Sequence, residues 1–133
     1  MFQGAIDPHT PVGQGGLRAS HRKLDAKLST EYRPYHTHDE PQPLQKDHPV
    51  EVQVEIWPTS IVVPAGYRLA LSVRGKDYEW QKSTGARLSN FKNELRGCGP
   101  FLHDDPRDRP ASVFGGRTTL HLKDSYVLLP VIP

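Results

Sequence analysis

The feature that most constrains the fold is a strict alternation of apolar and polar residues near the middle of the chain. Residues 50–56 read Val-Glu-Val-Gln-Val-Glu-Ile. This is the period of a β-strand with one dry face, and no helix has it. A second alternating segment, residues 68–74, carries Leu69, Leu71 and Val73 on one face. We therefore predict two or three neighbouring antiparallel strands whose apolar side chains are buried in a shared core.

Two reversals of the chain are predicted from turn residues. Pro64-Ala65-Gly66 follows the apolar run 61–63. Proline fixes φ at one corner of a tight turn, and glycine relaxes its exit. Near the end of the chain, residues 117–122 and 125–131 predict a hairpin that turns at Lys123-Asp124.

Length and composition are those of one loop-rich β-domain. The chain has 11 Gly and 13 Pro among 133 residues, well above the usual share of about 12 % for the two together. We expect residues 1–12 to be an N-terminal extension or a cloning remnant, and residues 13–133 to form a single β-sandwich domain. Residues 76–116 show no sustained alternation and are predicted to be a long irregular excursion. Within it, residues 81–96 are expected to be disordered or partly helical, with Ser89 capping a short helix.

Charge patterning excludes a nucleic-acid footprint. The 17 basic and 15 acidic residues are mixed along the chain, and the net charge is only +2. One basic cluster stands out, and we interpret it as a solvated or salt-bridged face. Its members are Arg18, His21, Arg22, Lys23 and Lys27.

The expected compartment follows from three absences in the sequence. No run of 18 apolar residues is present, so no membrane span is predicted. The first residues lack the basic and apolar regions of a signal peptide. A single cysteine, Cys98, excludes an internal disulfide and fits a reducing compartment, so we expect the protein to be cytoplasmic.

No catalytic motif is present. None of the serines lies in a G-x-S-x-G nucleophile elbow. Ser20 and His21 are neighbours that would point to opposite faces of a strand, so they cannot share a proton. Cys98 has only Arg96 nearby to stabilise a thiolate. We therefore predict no catalytic residue and no cofactor for this chain by itself.

Several long segments together resemble one protein family. They read GGLRASHRKLD at 15–25, YRPYHTHDEPQPL at 32–44, EIWPTSIVVPAGYRLALSVRGKDYE at 55–79, GPFLHDDPRDRP at 99–110 and YVLLPVIP at 126–133. In this order they resemble the C-terminal domain of the cocaine-esterase-like and X-prolyl dipeptidyl-peptidase family of serine hydrolases.

The resemblance implies an all-β fold. Members of the family join an α/β-hydrolase domain and a helical cap to an antiparallel jelly-roll (galactose-binding-like) β-sandwich, and the catalytic Ser, Asp and His belong to the hydrolase domain. Several family strands that precede residues 15–25 have no counterpart here, so we expect a sandwich truncated at its N-terminal side. The implied role is non-catalytic: scaffolding, cleft formation and subunit contacts. The implied partners are an α/β-hydrolase domain or subunit and further copies of the chain, because uncovered sheet edges recruit partners.

A metal-dependent enzyme that uses His36 and His38 is one alternative. On a strand, His36 and His38 would share a face at a spacing that suits one zinc-class ion, and a carboxylate such as Asp39 would complete the shell. His103-Asp104-Asp105 lies far downstream. The favoured interpretation is structural, with ring-nitrogen hydrogen bonds that tie a loop to the sheet.

A carbohydrate- or ligand-binding module is the other alternative, because jelly rolls often hold sugars on aromatic platforms. The candidate side chains are Tyr32, Tyr35, Trp57, Tyr78 and Trp80. For Trp57 we favour a structural role, since its place between an alternating strand and a proline predicts that it plugs the end of the sandwich.

Overall fold

The computed structural model describes residues 11–79, 103 and 105–132. The chain divides into two compact units, and each is described by itself. Unit 1 contains Met1–Val12 and Ser60–Thr119, and unit 2 contains Gly13–Thr59 and Leu120–Pro133. The helices in the described residues are a 3-10 helix at Ala19–His21 and an α-helix at Ala111–Phe114. Neither is long or apolar enough to cross a membrane.

Unit 2 contains an antiparallel pairing of two short arms, a first arm at residues 24–30 and a second arm at residues 33–36. Leu24 bridges to His36, and Thr30 bridges to Arg33 across a two-residue turn. The Thr37 amide donates to the Lys23 carbonyl at 3.1 Å on the far side of the first bridge. The pairing brings the segment around residue 36 alongside the segment that follows the 3-10 helix.

The first arm has more residues than the second. Side-chain hydrogen bonds to backbone amides hold its extra residues in a turn. Asp25 Oδ1 accepts hydrogen bonds from the amides of Lys27 at 2.8 Å and Leu28 at 3.0 Å. The Tyr35 amide donates to Ser29 Oγ at 3.0 Å. The side chain of aspartate commonly accepts a hydrogen bond from the backbone amide two residues later. The turn at Asp25 therefore depends on residues close in sequence, and it is compatible with the pairing of the two arms.

Two further segments of unit 2, residues 13–15 and 55–57, lie with their backbones close together. The Trp57 amide donates to the Gln14 carbonyl at 2.8 Å. A Cβ atom on Gly15 would lie 1.9 Å from the Glu55 carbonyl oxygen. Only a residue without a Cβ fits there, so glycine is what allows residues 13–15 to run against residues 55–57.

Both predicted turns are confirmed. In unit 1 the Tyr67 amide donates to the Pro64 carbonyl at 3.1 Å, and Gly66 has the positive φ of 85° that the third position of a type II turn requires. In unit 2 residues 123–124 form a turn, and Ser125 donates through its amide to Leu122 at 3.3 Å.

The predicted burial of the alternating side chains is wrong for this chain. The side chains of Val50, Val52, Val54 and Ile56 are 40–42 % exposed, and those of Leu69, Leu71 and Val73 are 58–61 % exposed. Trp57 is 71 % exposed, so it does not plug an apolar core either. The physical reason is that the described residues pair only through isolated bridges, and no second layer of them covers these faces.

The β-sandwich itself stays a prediction, as does a single domain over residues 13–133. Part of the predicted excursion at 76–116 falls on residues that the structure describes, and there the chain forms a turn at 106–108 followed by the helix Ala111–Phe114. The helix predicted behind Ser89, the expected disorder of residues 81–96, and Cys98 lie outside the described residues.

Candidate functional site

Unit 2 contains an open pocket of about 370 Å³. Its walls come from three segments, around residues 16–18, 33–38 and 55–57. These are the segments that the bridges and the close approach at Gly15 bring together. The pocket is therefore a product of the pairing within unit 2.

Two of the five predicted platform aromatics line this pocket. They are Trp57, which is 71 % exposed, and Tyr35, which is 44 % exposed. Tyr32 is 75 % exposed but is not part of the wall. Tyr78 lies in unit 1, where the Arg74 guanidinium sits 5.2 Å from its ring centroid. Trp80 lies outside the described residues.

The polar wall of the pocket combines cations with one carboxylate. Arg33 Nε lies 3.6 Å from Glu55 Oε1. Arg18, His36 and His38 also line the pocket. The described wall residues offer imidazole, guanidinium and carboxylate groups, which can form hydrogen bonds and ion pairs.

His36 is held by its ring. Its Nε2 lies 2.9 Å from the Gln53 carbonyl oxygen, and because a carbonyl only accepts, Nε2 carries the proton. Its Nδ1 is buried and has no hydrogen-bond partner among the described residues. His36 thus ties the second arm to the segment around residue 53, as the structural interpretation of this histidine predicts.

His38 meets a different partner from the one expected. Its Nδ1 lies 3.2 Å from Nδ1 of His21, and its ring centroid is 6.0 Å from that of His36. The prediction that His36 and His38 share one face assumed an extended strand. His38 instead has φ of 55°, a left-handed conformation, so the alternation of a strand does not apply at this residue.

Asp39 is engaged by a lysine rather than by the histidines. Lys23 Nζ lies 3.1 Å from Asp39 Oδ2 and 3.0 Å from Glu40 Oε2. Thr37 Oγ1 also donates to Asp39. The Thr37 hydroxyl and the lysine together hold the pKa of Asp39 below its usual value, and Glu40 and Asp39 raise the pKa of Lys23.

These contacts bear on the alternative of a metal site and on the interpretation of the basic cluster. The structure does not gather His36, His38 and Asp39 around one point, and within the described residues no group of three or more His, Cys, Asp or Glu could hold a metal ion. For Lys23, the interpretation of the basic cluster as salt-bridged is confirmed.

His21 is a site residue that the motif analysis missed, because it lies 17 residues before His38. It closes the 3-10 helix Ala19–His21. The helix is anchored where the Gln42 amide donates to the Ser20 carbonyl at 2.6 Å. Arg22 Nη1 donates both to Ala19 O, at 3.1 Å, and to Gln42 O. Only the fold brings His21 to His38.

Unit 1 contains a separate polar corner built on His103. Asp77 Oδ2 accepts a hydrogen bond from the His103 amide at 2.6 Å and lies 2.9 Å from His103 Nδ1. Arg109 Nη1 donates to the His103 carbonyl at 2.6 Å, and Nη2 donates to the Gly75 carbonyl at 3.3 Å. The His103 amide is the main cause that lowers the pKa of Asp77. The ring of His103 is thus paired with a carboxylate in its own unit.

A comparison with protein families shows the family to which the chain belongs. The model of the family described as X-Pro dipeptidyl-peptidase C-terminal non-catalytic domain matches residues 5–96, which is more than half of the chain. The segments at 99–110 and 126–133 lie outside this match. No curated protein and no solved structure matches the chain.

Proposed function

Because the chain belongs to the family of X-Pro dipeptidyl-peptidase C-terminal non-catalytic domains, we propose that it acts as a scaffold for an α/β-hydrolase domain. In this role it forms a β-sandwich that packs on the catalytic domain, contributes to the wall of the active-site cleft and takes part in subunit contacts. The parent hydrolase cleaves X-prolyl peptides or related ester and amide bonds.

The observation that carries the proposal is the exposure of the alternating apolar side chains. In unit 2 Val50, Val52 and Val54 are 41–42 % exposed, and in unit 1 Leu71 is 61 % exposed. Full burial of such a side chain stabilises a protein by roughly 1.5–3 kcal/mol. Large contiguous apolar patches on a protein surface are typical of interfaces. A catalytic domain that covers these faces would supply the burial that the described residues do not.

The lack of catalytic machinery in the sequence supports the same role. The chain contains no G-x-S-x-G elbow, so a nucleophile would have to come from a hydrolase domain. The pocket of unit 2 offers imidazole, guanidinium and carboxylate groups on its wall. Such groups orient and bind, which is consistent with a domain that borders an active site.

The test uses the purified chain and the α/β-hydrolase portion of an X-Pro dipeptidyl-peptidase. We expect the two to elute together in size-exclusion chromatography with light scattering. Val52→Lys should weaken the association, because it places a charge on the apolar face. Gln53→Lys is the matched control, because it places the same charge at the adjacent polar position of the alternating segment. It should leave the association intact.

Activity is measured in the same samples with Gly-Pro-p-nitroanilide. The chain alone should give no turnover above background. The proposal is wrong if the two proteins do not associate, or if Val52→Lys and Gln53→Lys associate equally well. It is also wrong if the chain alone hydrolyses the substrate and loses that activity in Ser20→Ala.

The aromatic wall of the pocket favours a second candidate, a carbohydrate-binding module. Trp57 and Tyr35 line the same pocket beside Arg33 and Glu55. An exposed aromatic ring offers an apolar face to a sugar ring, and the charged groups are suited to hydroxyl groups. A titration of glycans monitored by tryptophan fluorescence tests this candidate. Trp57→Ala should abolish a true response, whereas Tyr32→Ala, an exposed aromatic outside the pocket, should not.

A further inference from the structure

We propose that His21 and His38 form a binding site for one zinc-class divalent metal ion, with both imidazoles ligating through Nδ1. The site differs from the alternative drawn from the sequence, because His21 takes the place of both His36 and Asp39 beside His38. It also goes beyond the scaffold role, since it needs no hydrolase domain. Three observations in unit 2 carry the proposal: the spacing of the two nitrogens, their chemistry and the way each ring is supported.

The spacing of the nitrogens is close to that of two ligands on one ion. Nδ1 of His21 and Nδ1 of His38 are 3.2 Å apart. Two nitrogens that each lie about 2.0–2.1 Å from a tetrahedral zinc ion are separated by roughly 3.3–3.4 Å. The ring centroids are 5.4 Å apart with 46° between the ring planes. The two nitrogens therefore lie at a separation that one ion can bridge once the rings turn their Nδ1 lone pairs towards it.

The chemistry of the pair also suits a metal ion. Without metal, the two Nδ1 atoms can share a hydrogen bond only if one carries a proton and the other offers a lone pair. An ion between them replaces that proton. The ring that had donated through Nδ1 changes to its other neutral tautomer, with the proton on Nε2, so that both neutral rings carry their proton on Nε2 and ligate through Nδ1. Imidazole nitrogen is a preferred ligand of zinc, nickel and copper, and not of magnesium or calcium.

Both ligands are held by the fold rather than by local sequence. His21 closes the 3-10 helix Ala19–His21, and the bond from the Gln42 amide to the Ser20 carbonyl fixes that helix at 2.6 Å. His38 follows the second arm, where its neighbour Asp39 is fixed by Lys23 at 3.1 Å. An ion at this point would join two stretches of chain 17 residues apart. The proposed role of the metal is therefore to stabilise unit 2.

His36 is not a ligand in this proposal, although it lies nearby. Its ring centroid is 6.0 Å from that of His38, and its Nε2 is engaged by the Gln53 carbonyl at 2.9 Å. No group of three or more metal-ligating side chains is arranged around one point in the described part of the chain. Water would therefore complete the coordination of an ion held by two histidines.

The test is isothermal titration of the full chain with zinc chloride and, separately, with magnesium chloride. We expect one zinc ion to bind per chain and magnesium not to bind. His21→Gln and His38→Gln should each weaken zinc binding by at least about tenfold, or about 1.4 kcal/mol. His48→Gln removes an exposed histidine elsewhere in unit 2 and is the matched control. His36→Gln should also bind zinc within about twofold of the natural chain.

Imidazole nitrogen NMR gives a readout that a purely structural role would not move. Zinc should shift the Nδ1 resonances of two histidines, and these should be the ones lost in His21→Gln and His38→Gln. Circular dichroism checks that each variant keeps the fold. If His38→Gln does not fold, the comparison of His21→Gln with the natural chain decides the test. The proposal fails if zinc does not bind, or if magnesium binds as tightly as zinc. It also fails if His21→Gln binds zinc as tightly as the natural chain, or if His36→Gln loses as much zinc affinity as His21→Gln.

Discussion

At the scale of single residues, Gly15 is the described glycine at which an added Cβ would come nearest to another atom. A Cβ there would lie 1.9 Å from the oxygen and 2.8 Å from the carbon of the Glu55 carbonyl. Both distances are shorter than real Cβ atoms show, and the obstacle is backbone rather than a flexible side chain. Any side chain at residue 15 must therefore push apart two segments that together form a wall of the pocket.

Gly15→Ala should destabilise the chain by about 1–3 kcal/mol, because an added methyl group in a filled space forces the backbone to shift. Gly16→Ala is the matched control, since a Cβ on Gly16 would meet nothing within 4 Å, and it should change stability by less than about 0.5 kcal/mol. Urea unfolding followed by circular dichroism compares the midpoints. Equal midpoints for the two variants would show that residues 15 and 55 do not approach each other in solution.

Asp77 carries a second prediction at this scale, for acid stability. The amide of His103, followed by its ring, lowers the pKa of Asp77 in the folded chain. A carboxyl whose folded pKa lies below its unfolded value of about 3.9 adds stability above that value, and the contribution is lost as pH falls through the folded pKa.

Asp77→Asn should therefore be less stable than the natural chain at pH 7, and the difference should shrink as the pH falls below about 4. Asp124→Asn, at the exposed turn of unit 2, serves as the control and should show a smaller difference at pH 7. Thermal unfolding between pH 3 and 7 provides the measurement. A difference for Asp77→Asn that stays constant across this range would exclude the carboxylate of Asp77 as its source.

At the scale of elements, the tight turns of the described chain are closed by hydrogen bonds between residues close in sequence. The turn from Pro64 to Tyr67 is closed by a hydrogen bond of 3.1 Å, and its third residue, Gly66, has φ of 85°. The corner at 105–110 is built in the same local way. The carbonyl of Asp105 accepts the amides of Asp108 at 3.1 Å and Arg109 at 2.9 Å.

Gly66→Ala should destabilise the turn by about 1–2 kcal/mol, because a Cβ in a left-handed conformation approaches the neighbouring carbonyl. A Cβ at Gly66 would meet nothing else within 4 Å, so the cost comes from φ and not from crowding. Gly75→Ala, also in open space but without a positive φ, should be neutral or slightly stabilising. Unfolding midpoints that rank the two variants in the opposite order would contradict a type II turn here.

At the scale of the whole molecule, the dominant feature is apolar surface. In the described residues no large side chain is fully buried, and the most exposed aliphatic ones include Val62 at 89 % and Ile132 at 93 %. Described residues with so little buried apolar surface would gain stability from a partner, because association removes apolar surface from water. A standard interface buries about 800 Å² on each partner.

The isolated chain should therefore bind a hydrophobic dye and self-associate at concentrations of about tens of micromolar, a range in which weak interfaces of this size are populated. Leu71→Lys should reduce both effects, whereas Ala70→Lys, which adds the same charge at the adjacent position, should not. Light scattering and dye fluorescence are the measurements. A cooperatively unfolding monomer that binds no dye would show that the chain is self-sufficient.

Local sequence determined the turns and the family. The turns at Pro64-Ala65-Gly66 and Lys123-Asp124 were predictable because their hydrogen bonds and backbone angles involve only a few consecutive residues. The family was recognisable because several long segments resemble it in order, and three of them, at 15–25, 32–44 and 55–79, lie within residues 5–96 that the family model matches. Neither inference depends on how distant parts of the chain meet.

Tertiary structure alone decided the contacts between segments. The meeting of His21 with His38, of Asp77 with His103 and of Gly15 with Glu55 joins residues that no short motif connects. Among the described residues His36, His38 and Asp39 are not arranged around one point, and the positive φ of His38 ends the alternation that would have placed the two histidines on one face. The alternating apolar residues likewise specify which side chains share a face of an extended segment. Whether that face is buried depends on what packs against it, and a side-chain period of two contains no information about the partner.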